Sequence, residues 1–262
     1  MSVAQLDSAT AVIEEVALGD VLLVADRFRG ITADDRAFTV SGLVAALRGG
    51  RWRESDRPLT VRLGQGVTRH DLDYVEHVAL VHAPAGLRVS GPVDEPAPRH
   101  QVHKYQHSNV LLANLIRESE TEFRADLRIH GDNELLLDHQ TGEHVQGIVI
   151  VEAVRQLFLG AFELEYGRRW PEQHFYIVWN SIELEFKSFL FPLPASLHAV
   201  LTPVAVTDPA KLEFAIEVDV RQLDRSVATT RITYAALPNE RISQIERHKA
   251  AKAIAAYLGA VA

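Results

Sequence analysis

The chain has 262 residues and no cysteine. Disulfides, thiolate nucleophiles and cysteine-based zinc sites are excluded at once. Positive charge is also in short supply: 27 Lys and Arg against 35 Asp and Glu leave a formal net charge of -8. With no basic stripe, the broad phosphate neutralisation by which proteins grip nucleic acid is not expected. No apolar run is long enough for a bilayer span, so no membrane partner is expected either. The opening "MSVAQLDSATAVIEEVALGD" carries early acids and no basic cap, unlike a secretory signal, and a cytoplasmic protein is the expectation. Glycine-rich phosphate loops are missing: "GLVAALRGG" has neither the dinucleotide nor the P-loop spacing. His70, Asp73 and His77 would share one helical face, but acidic solvent-facing helices produce such sets by chance, and no H-E-x-x-H occurs. No metal and no cofactor are expected.

What is present is ordinary globular composition, 47% hydrophobic and 24% charged. The length suits one large domain, or a small one joined to one of usual size. Three prolines in "GPVDEPAPRH", 91–100, remove backbone donors and place the main boundary there. Before it, "GDVLLVADRF", "RPLTVRLGQGV" and "AGLRVSGPV" read as strands. "TVSGLVAALRGG", ended by Gly49 and Gly50, and "RHDLDYVEHVALV" read as helices. Residues 1–95 are therefore expected to form a small α/β module of unknown role.

After the boundary, "NVLLANLIRE" and "TEFRADLRIH" are strand-like. In the second, Phe123, Ala125, Leu127 and Ile129 alternate with charged residues, so one face is buried. A polar loop, "GDNELLLDHQTGEHVQ", leads into "GIVIVEAVRQLFLGAF", apolar on nearly every side and hence a helix to be wrapped by protein. Four more strand candidates follow, "HFYIVWNSIELEF", "ASLHAVLTPVAV", "EFAIEVDVRQL" and "VATTRITYAAL", spaced as an antiparallel meander. A sheet with one apolar face and a single apolar helix to fill it predicts an α+β hotdog fold over 101–238. The tail 239–262 reads as a C-terminal helix with Asn239 as N-cap and Ile242, Ile245, Ile254 and Leu258 at helical spacing, packed on the sheet or on a partner.

Glu152, Arg155 and Gln156 interrupt the greasy helix at i, i+3 and i+4, so they project from one face. A guanidinium beside the carboxylate keeps it ionised, whereas desolvation favours the neutral acid. The expected arrangement turns carboxylate and guanidinium towards an enclosed tunnel.

The segment "HVQGIVIVEAVRQ" resembles the central-helix entry of hotdog acyl-thioester enzymes, and "EAVRQ" resembles the A-factor biosynthesis (AfsA-type) family. "VHKYQHSNVLLANLIRES" and "QHFYIVWNSIELEF" are similar to that family's opening strand and its next one. The likeness spans about 101–235. It implies acyl-thioester chemistry in bacterial specialised metabolism: transfer of a β-ketoacyl group from acyl carrier protein or coenzyme A to a hydroxylated small-molecule acceptor such as dihydroxyacetone phosphate, on the way to γ-butyrolactone signals. Family members commonly carry two hotdog repeats, whereas no E-A-x-R-Q precedes residue 100 here.

Under that reading Glu152 orients or deprotonates the attacking hydroxyl, while Arg155 and Gln156 hold phosphate or the developing oxyanion. His139 in the loop is the catalytic-histidine candidate, though the Phe-Pro-Gly that follows the dehydratases' histidine is replaced by Gln140-Thr141-Gly142; His144 is its competitor. Gly147, Lys104 and Asn109 complete the expected substrate-binding set. Three alternatives stand: AfsA-like acyltransferase, dehydratase or thioesterase using His139 and Glu152, and a non-enzymatic module binding a small ligand. A lone hotdog leaves sheet edges and part of its helix uncovered, so a homodimer is expected.

Overall fold

The computed structural model describes residues 20–91, 95–137 and 143–259. The first unit is a parallel sheet of β1 (Asp20–Val24), β2 (Ala37–Thr39), β3 (Leu59–Leu63) and β4 (Leu87–Ser90), in the order β2-β1-β3-β4. Helices α1 (Val40–Arg48) and α2 (Arg69–His82) cover one face, burying Leu43, Leu47, Val75 and Val78 against Leu23 and Val61. Thr39 starts α1 by accepting from Gly42 N, and Thr68 with Asp71 forms a reciprocal capping box on α2. The short β2 lies where sequence periodicity suggests only the run-up to a helix; three residues are too few to show an alternation.

The second unit is a six-stranded antiparallel sheet of β5 (Leu112–Arg117), β6 (Glu122–Leu127), β7 (Phe175–Phe186), β8 (Ser196–Ala205), β9 (Leu212–Gln222) and β10 (Arg225–Pro238). Its order is β5-β6-β8-β9-β10-β7. Phe123, Ala125 and Leu127 point into the core, as their spacing predicts. The loop after β6 is not wholly irregular: α3 (Glu134–Leu137) makes one turn and buries Leu136. Then α4 (Gly147–Glu165) lies in the curve of the sheet, with Val154, Leu157, Phe158, Ala161 and Phe162 wholly buried. Gly160 allows close packing, since a Cβ there would stand 2.5 Å from Leu115 Cδ2. Two strands before the helix and four after it, wrapped round it, make the expected hotdog.

The two sheets share one core: Val24, Ala25 and Phe28 belong to the same buried cluster as α4. Gln65, 4% exposed, joins them. Its Nε2 donates to Leu127 O and Leu193 O at 3.0 and 3.1 Å, and its Oε1 accepts from Ile129 N at 2.7 Å. Gly66 turns the chain next to it at φ +84.

The tail is the expected helix. Helix α5 (Asn239–Gly259) meets β7 and β10 only through its beginning and buries no residue; Ile254, Tyr257 and Leu258 are exposed. It is not packed on the sheet.

Candidate active site

Two segments meet over the open side of α4. On the helix, Gly147, Ile148, Val151, Glu152 and Arg155 form a stripe that the sheet leaves uncovered, and Ile148 is 52% exposed. Above it, residues 99–109 run through turns. Val102 anchors this segment in the core, His103 takes a left-handed φ of 51, and Lys104 N donates to Arg99 O at 2.9 Å. These turns aim two side chains down at α4: His103 Nε2 lies 3.0 Å from Glu163 Oε1, and Lys104 Nζ lies 2.6 Å from Glu152 Oε1.

The Glu152 carboxylate is gripped from several directions. Arg155 donates to it from Nε at 2.7 Å and from Nη2 at 3.0 Å, and Gln156 Nε2 adds a hydrogen bond of 3.0 Å. Burial alone would push its carboxyl upwards, but the hydrogen bonds from Arg155, Lys104 and Gln156 outweigh that and hold it below the ordinary carboxylate range. It therefore stays ionised and is a poor proton acceptor. Two cations share this one carboxylate, so the cluster carries a net positive charge.

Gln156, wholly buried, has its amide fully engaged. Its Oε1 accepts from Leu111 N at 2.8 Å, and its Nε2 also donates to Asn109 O at 2.8 Å. Asn109 in turn accepts from Glu134 N through its side-chain oxygen at 3.0 Å. Glu152, Arg155, Gln156, Lys104 and Asn109 thus form one hydrogen-bonded cluster, with Gly147 at the opening of the same helix. A Cβ at Gly147 would come within 2.6 Å of the Phe186 ring. His144 stands apart: its ring packs 4.7 Å from that of Phe189, and no hydrogen bond among the described residues links it to Glu152. His139 lies outside the described residues. Four cavities, of about 550, 540, 1100 and 610 Å³, are lined by other residues, so none of these is a tunnel beside Glu152.

The family model for the A-factor biosynthesis hotdog domain, AfsA, matches residues 89–238. The chain belongs to the AfsA family. No curated protein matches its sequence. Among solved structures, the chain is similar to the dehydratase heterocomplex of Xenorhabdus doucetiae, with 14% identity over 54% of this chain and 91% of that one and a TM-score of 0.43. It is also similar to a mutant thioesterase of Pseudomonas aeruginosa, with 13% identity over 55% and 96% and a TM-score of 0.40.

One polar residue of the AfsA domain escapes sequence reasoning. Gln146, the N-cap of α4, is 9% exposed, and its amide nitrogen has no partner among the described residues. A glutamine before a helix carries no signal of burial; only the neighbouring Gly147 hints that something approaches there.

Proposed function

We propose that this AfsA protein is an acyl-thioester enzyme that transfers a β-ketoacyl group from acyl carrier protein or coenzyme A to a hydroxylated acceptor of the dihydroxyacetone phosphate type, as in γ-butyrolactone signal biosynthesis. The observation that carries this reading is the pairing of Lys104 and Arg155 on one partly buried carboxylate. An excess cation on the open stripe of α4 suits an anionic group, either the acceptor's phosphate or the oxyanion that forms when the acceptor hydroxyl attacks the thioester carbonyl. Glu152 acts as a positioning residue: its lowered pKa makes its carboxylate a weak base, and its hydrogen bonds fix both cations. Gln156 positions Glu152 from behind. The Gln146 amide and the Gly147 N–H, at the positive end of α4, are donors for the thioester carbonyl. His139 or His144 is left to take the hydroxyl proton.

The open stripe of α4 and the exposed edge of β7 call for a second copy of the chain. Tyr176, Ile182 and Phe186 on β7 are all more than a third exposed. A homodimer built on that edge brings a covering surface to the stripe.

The test is thiol release from β-ketoacyl, β-hydroxyacyl and saturated thioesters, with and without dihydroxyacetone phosphate. Release only from the β-ketoacyl thioester, and only with the acceptor, is expected, and Arg155→Ala should lower kcat/KM about a hundredfold. Release without acceptor points to hydrolysis and sinks the transferase reading. A β-hydroxyacyl thioester that loses water favours a dehydratase, and no turnover of any of them favours the binding module.

A further inference from the structure

The largest of the four cavities, about 1100 Å³, opens in the parallel-sheet unit, away from the Glu152 cluster. Its position follows from topology. From β1 the chain moves outward to β2 on one side, and β3 lies on the other. The connections leaving the carboxyl ends of β1 and β3 therefore diverge to opposite faces: Phe28, after β1, packs into the hotdog core, while α2, after β3, packs on α1. Such a switch point leaves a crevice, and open parallel sheets take ligands there. Here the crevice is floored by His130, Gly131 and Asp132 at the end of β6.

Its lining is mostly polar and mixed in charge. Arg27 and Arg29, from the segment after β1, are exposed to it, and among the described residues their guanidinium groups have no ion-pair or hydrogen-bond partner. The carboxylates differ: Asp26 Oδ1 accepts from Ser41 N and Oγ at 3.0 and 2.9 Å, and Asp71 Oδ2 accepts from Thr68 N and Oγ1 at 2.9 and 2.6 Å. Each of these keeps its other oxygen for an incoming donor, and Asp132 is 82% exposed. Because the Asp71 side chain already occupies the start of α2, an anion here belongs to the arginines rather than to the helix terminus.

We propose that this crevice binds a phosphorylated sugar, with Arg27 and Arg29 on the phosphate and the spare oxygens of Asp26 and Asp132 accepting sugar hydroxyls. Unpaired guanidinium forks match a phosphate dianion, and carboxylates repel one unless hydroxyls stand between. A ligand carrying both groups at opposite ends satisfies the whole lining. The volume accommodates either a free sugar phosphate or a nucleotide. The site is separate from the thioester reading and does not depend on it.

Calorimetry on the full chain with ribose 5-phosphate, AMP, ribose and inorganic phosphate tests this without any turnover. We expect ribose 5-phosphate or AMP to bind with a submillimolar Kd, with ribose and inorganic phosphate each at least about tenfold weaker. Tighter binding of AMP identifies a nucleotide, and the reverse a free sugar phosphate. The R27A/R29A variant alters two exposed side chains and should keep the wild-type circular dichroism while weakening binding about tenfold or more. D132N should weaken ribose 5-phosphate but not inorganic phosphate. The proposal is overturned if neither phosphorylated sugar saturates by about 10 mM, if R27A/R29A binds as wild type does, or if inorganic phosphate binds as tightly as the sugars.

Discussion

At the residue scale, Glu152 shows how one carboxylate organises a site. Without it, Arg155 and Lys104 would face each other across a partly buried space with nothing between them, and the Gln156 amide would lose one acceptor. Glu152→Gln should therefore destabilise the fold by about 2 kcal/mol at neutral pH, a value for charge-assisted hydrogen bonds at a site still reached by water. The folded-state pKa is depressed below the ordinary 4.5, so this contribution is fully present above that value and fades as pH falls through the folded pKa. Urea unfolding of both proteins across that range should show curves that differ at neutral pH and converge in acid. A gap that stays constant with pH would mean that the carboxylate's charge is not what stabilises the cluster.

At the element scale, the joint between the two sheets rests on the β3–α2 loop. Gln65 crosses from the first sheet to satisfy backbone groups at the end of β6 and just before β8, and Gln65 N also donates to Pro192 O at 2.9 Å. Gln65→Ala leaves three backbone groups, two of them in buried bonds, without that partner and should cost about 3 kcal/mol, read as a lowered denaturation midpoint. Gln65→Glu should be at least as damaging, because it sets a carboxylate against the Leu127 and Leu193 carbonyls. A midpoint within about 0.5 kcal/mol of wild type for Gln65→Ala would show that the shared apolar core alone holds the sheets together. This joint also marks where sequence reading stops. The alternation in "TEFRADL" and the all-round apolarity of α4 are local signals, so the strands, the helix and the i, i+3, i+4 placement of Glu152, Arg155 and Gln156 were legible. Gln65 bonds to residues 62 and 128 positions away, and nothing near it in the chain records them. Lys104 was legible as a candidate but not as the partner of Glu152, because its aim depends on the left-handed turn at His103. Gln156 looked like a ligand-binding amide, yet burial spends its hydrogen bonds on Leu111, Asn109 and Glu152.

At the scale of the whole molecule, one edge of the antiparallel sheet carries exposed apolar side chains. β7 is an edge strand of 12 residues, paired with β10 on one side only. A long unblocked edge offers a row of backbone donors and acceptors to any strand that can align with it. No proline interrupts it, and its exposed side chains include Tyr176, Ile182 and Phe186, the last lying against Gly147 where α4 begins. A two-fold copy satisfies this geometry most simply, because the same edge then serves both partners and closes on itself. The pairing would also shield Ile148 and the Lys104–Glu152–Arg155 cluster from water, strengthening each charge there. Light scattering should accordingly give twice the 29.1 kDa chain mass. Ile182→Lys and Ile148→Lys both replace side chains that are exposed in the single chain, so each should fold and yet elute as monomer. If both variants keep the wild-type mass of a dimer, the molecule pairs through another face and its α4 stripe is open to solvent; if the wild type is itself monomeric, the stripe must be closed by substrate or by a carrier protein instead.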